Sequence, residues 1–445
     1  MGIAKSLQWA ALALVAFTLT ACMSEADRNE WRDAALYIYG PYQYAQNVER
    51  IRAENAALGV TINHPLHVRN LSDHTSRRVT APNADTLYSS TVLDLSTGPV
   101  EVILPDAPDR YVSVMVMDLF TDVVDVVGSW DEARGSHFWI VKDDWAGAPA
   151  DGVNLIRVPG QDAWLLGRTF VAGPSDLDAA RDVQSELIVR PVNPDATPAP
   201  WPIQTDAIPN AENAVTVVNT LLARSAGHPH TQRASAFTEK GIIPGATQSW
   251  DNLSTIEKTI WTQTFEKVEA GLKTALLRAS DGTGWRTPPK NLAQFGTDDA
   301  TRAAVGLIGF GALRPQDASY FTAVTDGTGE PLNGAHSYTL TFNPDAVPVD
   351  AFWSISAYLI EGDGRRFFIE NPLNRHSING DTPGLERDDS GLLTLELSVE
   401  APDSEANWLP LPDGPVAIIF RTYRPQTAIL DGQWEPPDIE RASKG

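Results

Sequence analysis

The chain has 445 residues, of which 42% are hydrophobic and 13 are tryptophan, so it can bury a large core and form two or three domains. Its net charge at pH 7 is −23, which disfavours nucleic acid and anionic lipid head groups as partners because like charges repel. Cys22 is the only cysteine, which excludes disulfides and sites built from several thiolates.

Residues 1–21 have the features of a secretory signal peptide. Lys5 precedes an apolar stretch that ends in Leu19-Thr-Ala-Cys22, and a cation, a short apolar run and small residues in this order are typical of export signals. An uncleaved membrane anchor is the alternative, but spanning a bilayer takes about 20 apolar residues. Thr18 and Thr20 shorten the run here. The sequence therefore predicts an exported protein.

The end of this segment resembles the lipobox of bacterial lipoproteins, in which the cysteine thiol is acylated and becomes the mature N-terminus. We therefore expect a lipid anchor at Cys22 that holds the mature chain on a membrane. Met23 follows, in place of the aspartate that marks inner-membrane retention in well-studied Gram-negative bacteria. This favours the outer membrane, facing the periplasm or the cell surface.

The first predicted element of the mature chain is a helix. It includes an aromatic run from Tyr37 to Tyr42 and continues through Leu58, and we interpret the aromatic side chains as core packing. Short apolar runs bounded by Pro, Gly or Asp then predict strands at 100–104, 111–117, 138–141 and 163–166. Several short strands at this spacing favour a sandwich or a jelly roll.

Residues 191–209 contain six prolines, which neither a helix nor a central strand tolerates, so a domain boundary is expected here. Helical spacing follows at 211–226, after Ser254 and at 299–313. Ser254 and Glu257 have the spacing of a capping box. Strands are predicted again at 338–342, 352–358, 392–397 and 416–420.

The two strand-rich regions repeat one pattern. Residues 100–114 and 339–355 each contain a strand, a Pro-Asp turn and a strand that an aromatic residue begins. The predicted fold is mainly β, α+β overall, with two jelly-roll-like β-sandwiches joined by a helical layer. The predicted domains are 22–190 for the first helix and sandwich, 191–315 for the Pro-rich linker and helical connection, 316–430 for the second sandwich and 431–445 for a tail.

These motifs resemble a tandem pair of bacterial domains. Ala81-Pro-Asn-Ala-Asp-Thr-Leu-Tyr-Ser89 and Asp109-Arg-Tyr111 are similar to the domain of unknown function 1254. Leu332-Asn-Gly-Ala-His-Ser-Tyr338 and Arg421-Thr-Tyr-Arg-Pro425 are similar to its usual C-terminal partner, the domain of unknown function 1214. The resemblance implies tandem sandwiches with a helical connection in an exported protein, and it implies no established catalytic residues.

The densest polar cluster is formed by Asn83, Asp85 and Tyr88, with Arg110 and Asp118 on strands nearby. A carboxylate beside a phenol and a guanidinium suits acid/base catalysis because such neighbours shift pKa values, and Asn83 is then a substrate ligand. The alternative, which the frequency of Asn and Asp in turns favours, is that these side chains cap a turn while Arg110 pairs with a carboxylate.

A second group of candidates is predicted to bind substrate: Asn371, Arg375, Trp408, Arg421 and Tyr423. A guanidinium suits bidentate capture of a carboxylate or sulfate, and a tryptophan can stack on a sugar. Structural ion pairing is the alternative for the arginines.

The histidines form two further groups, His64, His67 and His74, and His228 and His230. With Asp73 or Asp85 they include the ligand types of a divalent metal, but the spacing is generic. Surface histidines are therefore favoured, and no metal is expected.

Two functions remain open. Common signatures of nucleotide, serine and zinc chemistry are absent, and no cofactor is expected. The first hypothesis is a cofactor-independent hydrolase or lyase that acts on an extracytoplasmic substrate such as a glycan, with Asp85, Tyr88, Arg110 and Asp118 as catalytic candidates. The second is a non-catalytic envelope protein that binds a small molecule or glycan or scaffolds an assembly, and a homodimer is one assembly left open.

Overall fold

The computed structural model describes residues 23–198, 200–278 and 284–442. The predicted signal peptide and Cys22 lie outside these residues. Of the helices in the part of the chain that is described, none combines the length and the apolar character needed to span a membrane.

Helices precede, interrupt and connect the strand-rich regions of the described chain. In chain order they are α1 (Glu25–Ala57), α2 (Leu177–Glu186), α3 (Ala211–Arg224), α4 (Pro229–Gln232), α5 (Thr255–Arg278), α6 (Asp299–Ile308) and α7 (Thr427–Leu430), with 3-10 turns at Pro174–Asp176, Arg233–Lys240 and Pro344–Ala346.

The strands fall into two sets. The first set is β1 (Leu66–Val68), β2 (Thr86–Asp94), β3 (Val100–Ile103), β4 (Val112–Met117), β5 (Val123–Gly128), β6 (His137–Lys142), β7 (Asn154–Val158), β8 (Asp162–Phe170) and β9 (Ile188–Pro191). The second set is β10 (Ala318–Ala323), β11 (Tyr338–Phe342), β12 (Trp353–Ile360), β13 (Arg366–Phe367), β14 (Ser377–Asn379), β15 (Leu393–Ser398), β16 (Trp408–Pro410), β17 (Val416–Tyr423) and β18 (Glu440–Arg441).

Helix α1 is the centre of the helical layer. It contacts α3, α5, α6 and strand β2, so this layer includes a helix that precedes the first sandwich in sequence. The side chains of Tyr37, Tyr39, Tyr42 and Tyr44 are all fully buried. The prediction that the aromatic run packs in the core is confirmed.

Local sequence signals set the start of α5 and the end of α6. The Ser254 Oγ accepts the backbone N–H of Glu257 at 3.3 Å, and the Glu257 carboxylate accepts the backbone N–H of Ser254 at 2.7 Å. This reciprocal pair confirms the predicted capping box. Helix α6 ends at Ile308, five residues before the predicted end, because Gly309 and Gly311 follow and Gly311 has a φ of +89°.

The first sandwich consists of two facing sheets, with strand orders β1-β2-β8-β4-β5 and β7-β6-β3-β9. Val114 and Leu165 of one sheet pack with Val102, Phe138 and Ile140 of the other. Residues of β4 are buried on both faces, since Met115 and Met117 pack against the helical layer. This two-sided burial explains why the sequence of β4 does not alternate between apolar and polar residues.

The second sandwich repeats the first strand for strand. Its sheets have the orders β10-β17-β12-β13, with β14 also on β12, and β16-β15-β11-β18. Strands β2, β8, β4 and β5 therefore correspond to β10, β17, β12 and β13, and β7, β6, β3 and β9 correspond to β16, β15, β11 and β18. The predicted repeat is confirmed, since residues 100–114 include β3 and the start of β4 while 339–355 include most of β11 and the start of β12.

The predicted tail, as far as the structure describes it, joins the second sandwich. Strand β18 pairs with β11 through Tyr338 and Arg441. This strand takes the edge position that β9 takes in the first sandwich.

Candidate functional site

The two sandwiches meet where the segment before β2 lies across the outer face of the second sandwich. The backbone N–H of Ala81 donates to the carbonyl of Arg366 at 2.8 Å. The Tyr358 hydroxyl donates to the carbonyl of Pro82 at 2.6 Å. These bonds fix the first domain on the second at the start of strand β2.

Asn83 and Asp85 cross this interface with their side chains. The Asn83 amide donates to the Tyr423 hydroxyl at 2.7 Å, and its oxygen accepts the backbone N–H of Asp85 at 2.8 Å. The Ser377 hydroxyl donates to Asp85 Oδ1 at 2.7 Å, and Asn379 Nδ2 lies 3.4 Å from the same oxygen. Asn83 therefore caps a turn, as the structural alternative predicted, and also joins the two domains.

Tyrosines and arginines from both domains surround this contact. We call the group the interdomain cluster; it consists of Asn83, Asp85, Tyr88, Tyr111, Arg168, Tyr320, Arg421 and Tyr423. The ring centroids of Tyr111 and Tyr423 are 5.5 Å apart, and those of Tyr320 and Tyr423 are 6.1 Å apart.

Each arginine of the cluster lies beside a tyrosine on the neighbouring strand. Arg168 is the register partner of Tyr88, with its guanidinium 5.8 Å from the ring centroid. Arg421 is the register partner of Tyr320 at 5.7 Å. The cluster thus contains a matched arginine and tyrosine pair from each sandwich.

The Asp85 carboxyl is fully buried. Burial raises its pKa, while the Arg421 guanidinium and the side chains of Ser354, Ser377 and Asn379 oppose the shift in part. Its Oδ2 atom makes no hydrogen bond with any described residue. A buried carboxyl with a raised pKa and a free oxygen has the properties that proton transfer requires.

Buried polar atoms without a hydrogen-bond partner in the described chain are concentrated in and beside the cluster. They include Asp85 Oδ2, Tyr111 Oη, Ser113 Oγ, Arg168 Nη1 and Ser354 Oγ. Tyr88 and Tyr320 of the cluster are partly buried, so part of the cluster borders accessible surface. Unsatisfied polar atoms beside accessible surface are what an empty ligand site leaves behind.

Two of the predicted catalytic residues do not join Asp85 and Tyr88. Arg110 forms a bidentate ion pair with Asp176, at 2.6 Å for both contacts, and donates to the carbonyl of Phe170. It is therefore bound to a carboxylate, as the structural alternative predicted, and it holds the end of β8.

Asp118 lies beyond the opposite end of β4 from Tyr111. It is five residues from Ser113, the register partner of Arg168, which is roughly 16 Å along a strand. Its Oδ1 accepts the backbone N–H of Phe120 at 2.8 Å, and its Oδ2 lies 2.9 Å from Nε2 of His228. Asp118 thus belongs to a turn and to the helical layer.

The prediction of surface histidines is wrong for His228, which is 3% exposed. His230 lies beside it, 3.2 Å from Asp122, which also contacts Arg302. The reason is that Pro229 begins α4 directly under the turn after β4, which brings both imidazoles against buried carboxylates.

The other histidines are dispersed or paired locally. His64 contacts Thr61, His67 contacts Ser89, and the ring of His74 lies 6.3 Å from that of His376. Within the residues that the structure describes, no three His, Cys, Asp or Glu side chains are grouped as metal ligands would be.

Three of the predicted substrate ligands form a structural unit in the second sandwich. Arg375 donates to the carbonyls of Glu405, Ala406 and Trp408. Asn371 accepts the backbone N–H of Arg375, and Trp408 is 1% exposed. These side chains hold the loop before β16, whereas Arg421 and Tyr423 belong to the interdomain cluster.

The sequence analysis missed five residues that the structure brings to this region: Tyr111, Arg168, Tyr320, Ser377 and Asn379. The internal repeat contains the signal for two of them. Arg168-Thr-Phe170 matches Arg421-Thr-Tyr423, and Asp85-Thr-Leu-Tyr88 matches Asp317-Ala-Ser-Tyr320. Extending the repeat to these segments would have identified Arg168 and Tyr320.

Comparison with known proteins identifies two regions of the chain. The family model DUF1254, a protein of unknown function, matches residues 62–191, and DUF1214, also a protein of unknown function, matches residues 317–427. None of the curated proteins matches the chain.

Solved structures with this arrangement exist. The chain is similar to the crystal structure of the VPA0106 protein from Vibrio parahaemolyticus, with a TM-score of 0.70, 22% identity and coverage of 94% of this chain and 100% of that one. An uncharacterized protein from Burkholderia cenocepacia gives a TM-score of 0.46 at 12% identity, with 96% of this chain and 98% of that one covered. The first similarity shows that the two proteins share a fold.

Proposed function

Because the chain belongs to the family in which a DUF1254 domain precedes a DUF1214 domain, we propose that its function requires both domains and that the interdomain cluster binds a small organic ligand. The observation that supports this most directly is that Asp85 Oδ2, Tyr111 Oη and Arg168 Nη1 are buried without hydrogen bonds in the described chain. Leaving such atoms unpaired costs about 1–3 kcal/mol each, which a bound ligand recovers.

Ligand binding is tested by thermal shift with a library of small molecules and glycans. We expect a ligand that stabilises the wild type to lose its effect in Asp85→Asn and in Tyr88→Phe. Asp162→Asn is the matched control, because Asp162 is a buried carboxyl with a raised pKa that pairs with Arg224 outside the cluster. Equal stabilisation of all four proteins would place the ligand elsewhere.

A second candidate is catalysis in the same cluster, by a cofactor-independent hydrolase or lyase. The raised pKa of Asp85 supports it, since a carboxyl that stays protonated nearer to neutral pH can serve as a general acid. Activity would be screened on polysaccharide and ester libraries. We expect Asp85→Asn to abolish turnover while the control Asp162→Asn, whose carboxyl pairs with Arg224 outside the cluster, retains it. Full turnover in Asp85→Asn would exclude Asp85 as the catalytic group.

We also propose that the protein acts outside the cytoplasm, held to a membrane by acylated Cys22. The support is the order of Lys5, the apolar stretch and Leu19-Thr-Ala-Cys22 in the sequence. In that location the substrate is an extracytoplasmic molecule, and a reaction that needs neither ATP nor a nicotinamide fits the absence of their binding motifs from the sequence.

A further inference from the structure

The repeat of the two sandwiches places one arginine of each at an equivalent position in the interdomain cluster. Arg168 has Tyr88 and Ser113 as its register partners on either side. Arg421 has Tyr320 and Ser354 in the same positions. The two arginines therefore occupy corresponding positions in a duplicated half-site.

The guanidinium of Arg421 is compensated by hydrogen bonds within the protein. It is 3% exposed and donates to Ser356 Oγ at 3.0 Å, to Tyr358 Oη at 2.5 Å and to the carbonyl of Ala81 at 3.2 Å. Arg421 therefore has hydrogen-bond partners within the protein and does not require a ligand to supply them.

Arg168 lacks this compensation. It is 4% exposed, Nη2 donates to the carbonyl of Gly311 at 2.9 Å, and Nη1 is buried without a hydrogen bond. Among the described residues no carboxylate forms an ion pair with it. A buried cation without a counter-charge is costly, because the guanidinium loses its hydration and gains no ion pair in return.

The repeat also identifies the aspartate that accompanies each half-site. Asp85 lies three residues before Tyr88, and Asp317 lies three residues before Tyr320, so the two aspartates correspond. Asp85 accepts a hydrogen bond from Ser377, whereas Asp317 forms an ion pair with Arg314 at 2.6 Å. Neither aspartate forms an ion pair with Arg168, so this guanidinium is buried without a carboxylate partner in the described chain.

We propose that Arg168 binds the carboxylate group of a small organic acid. This inference rests on the proposed function, since it assumes that the cluster is the ligand site. Because Arg168 is the one guanidinium of the cluster with an N–H group that is unpaired in the described chain, we expect the ligand to have one negative group. The phenol of Tyr111, buried and without a hydrogen bond, can donate to the same carboxylate.

The unliganded protein provides the first test, with Arg168→Met compared with Arg421→Met. Replacing an uncompensated buried cation by an apolar side chain of similar volume is neutral or stabilising, whereas removing a compensated one leaves its partners unpaired. We expect the melting temperature of Arg168→Met to equal or exceed that of the wild type and that of Arg421→Met to fall. A loss of stability or of folding in Arg168→Met would show a structural role and overturn the inference.

Binding provides the second test, with acetate and benzoate as probes, acetamide and benzamide as neutral counterparts, and inorganic phosphate as a different anion. We expect the carboxylates to raise the melting temperature of the wild type, and Arg168→Met to bind them roughly 30-fold more weakly or worse. Amides that bind as well as acids, or phosphate that binds in their place, would overturn the carboxylate assignment. So would the absence of any carboxylate effect.

The failure of the inference can be distinguished from that of the proposed function. Neutral ligands that bind wild type and Arg168→Met equally, but not Asp85→Asn, would leave the cluster as the ligand site without a carboxylate at Arg168. Ligands that bind all of these variants equally would contradict both proposals.

Discussion

Asp85 has different surroundings at its two carboxyl oxygens. Oδ1 accepts hydrogen bonds from the second domain, while Oδ2 is buried without one in the described chain. Burial raises the pKa of the group from its ordinary value of 3.8, so the folded protein holds this proton more tightly than the unfolded chain does. A group of this kind makes stability depend on pH.

The first prediction concerns this dependence. Between 3.8 and the raised pKa the folded state binds more protons at Asp85 than the unfolded state, so stability falls as the pH rises through this interval. Asp85→Asn removes the titration. We expect the melting temperature of the wild type, relative to that of Asp85→Asn, to be highest at acidic pH and to decrease toward neutral pH in thermal unfolding experiments.

Asp345→Asn is a control for which stability should change with pH in the opposite direction. The hydrogen bonds and charge of Arg387 lower the pKa of Asp345, so the wild type should lose stability relative to this variant as the pH falls. A constant difference in melting temperature between wild type and Asp85→Asn across the acidic to neutral range would contradict the raised pKa of Asp85.

At the scale of elements, the contact between α1 and α6 depends on a glycine. Arg302 of α6 is fully buried and donates to the carbonyl of Phe120 at 2.7 Å and to Asp299 at 2.6 Å. A Cβ atom at Gly40 of α1 would lie 2.7 Å from Cδ of Arg302. Gly40 therefore allows a buried, hydrogen-bonded arginine to lie directly against the helix backbone.

The second prediction is that alanine has opposite effects at two helical glycines. In a helix interior, Gly→Ala ordinarily stabilises by about 0.5–1 kcal/mol, and we expect this for Gly271→Ala in α5, where a Cβ would meet no neighbour within 4 Å. Gly40→Ala should instead destabilise by about 1–3 kcal/mol because Arg302 must move. Chemical denaturation measures both values. Stabilisation by both substitutions would show that Arg302 adapts freely.

Most of the long elements were predictable because their local signals agree with their tertiary environment. The strand predicted at 338–342 has the bounds of β11, and the capping box starts α5. Strand β2 was missed because the segment from Thr86 to Asp94 mixes polar and apolar residues. Tyr88 of β2 belongs to the interdomain cluster and Ser90 accepts a hydrogen bond from Trp164, and local spacing does not reveal these contacts.

At the scale of the whole molecule, one hydrophobic cluster spans the helical layer and both sandwiches. It includes Trp261 of α5, Met115 of β4, and Phe352 and Tyr423 at the interface with the second sandwich. The rings of Phe352 and Tyr423 are stacked with centroids 4.1 Å apart. The interdomain cluster is thus attached to a continuous core, which fixes the two domains relative to each other.

The third prediction concerns the location of the whole protein. Cys22→Ser removes the only thiol that can be acylated, so we expect the variant to be recovered in the soluble extracytoplasmic fraction while the wild type remains with membranes. Fractionation and immunoblotting of cells that express both proteins would measure this. Continued membrane association of the variant would indicate an uncleaved anchor instead of a lipid.

The sequence by itself determined the class of fold, the repeat of the sandwiches and the family, because local periodicity and motifs of adjacent residues are enough to identify them. Only the tertiary structure decided which polar residues meet. Asn83 and Tyr423 are 340 residues apart in the chain, and their hydrogen bond follows from the packing of two sandwiches. The same packing left Arg110 and Asp118 outside the cluster and brought Arg168 into it, because strand register and domain docking, rather than proximity in sequence, determine which side chains share a face.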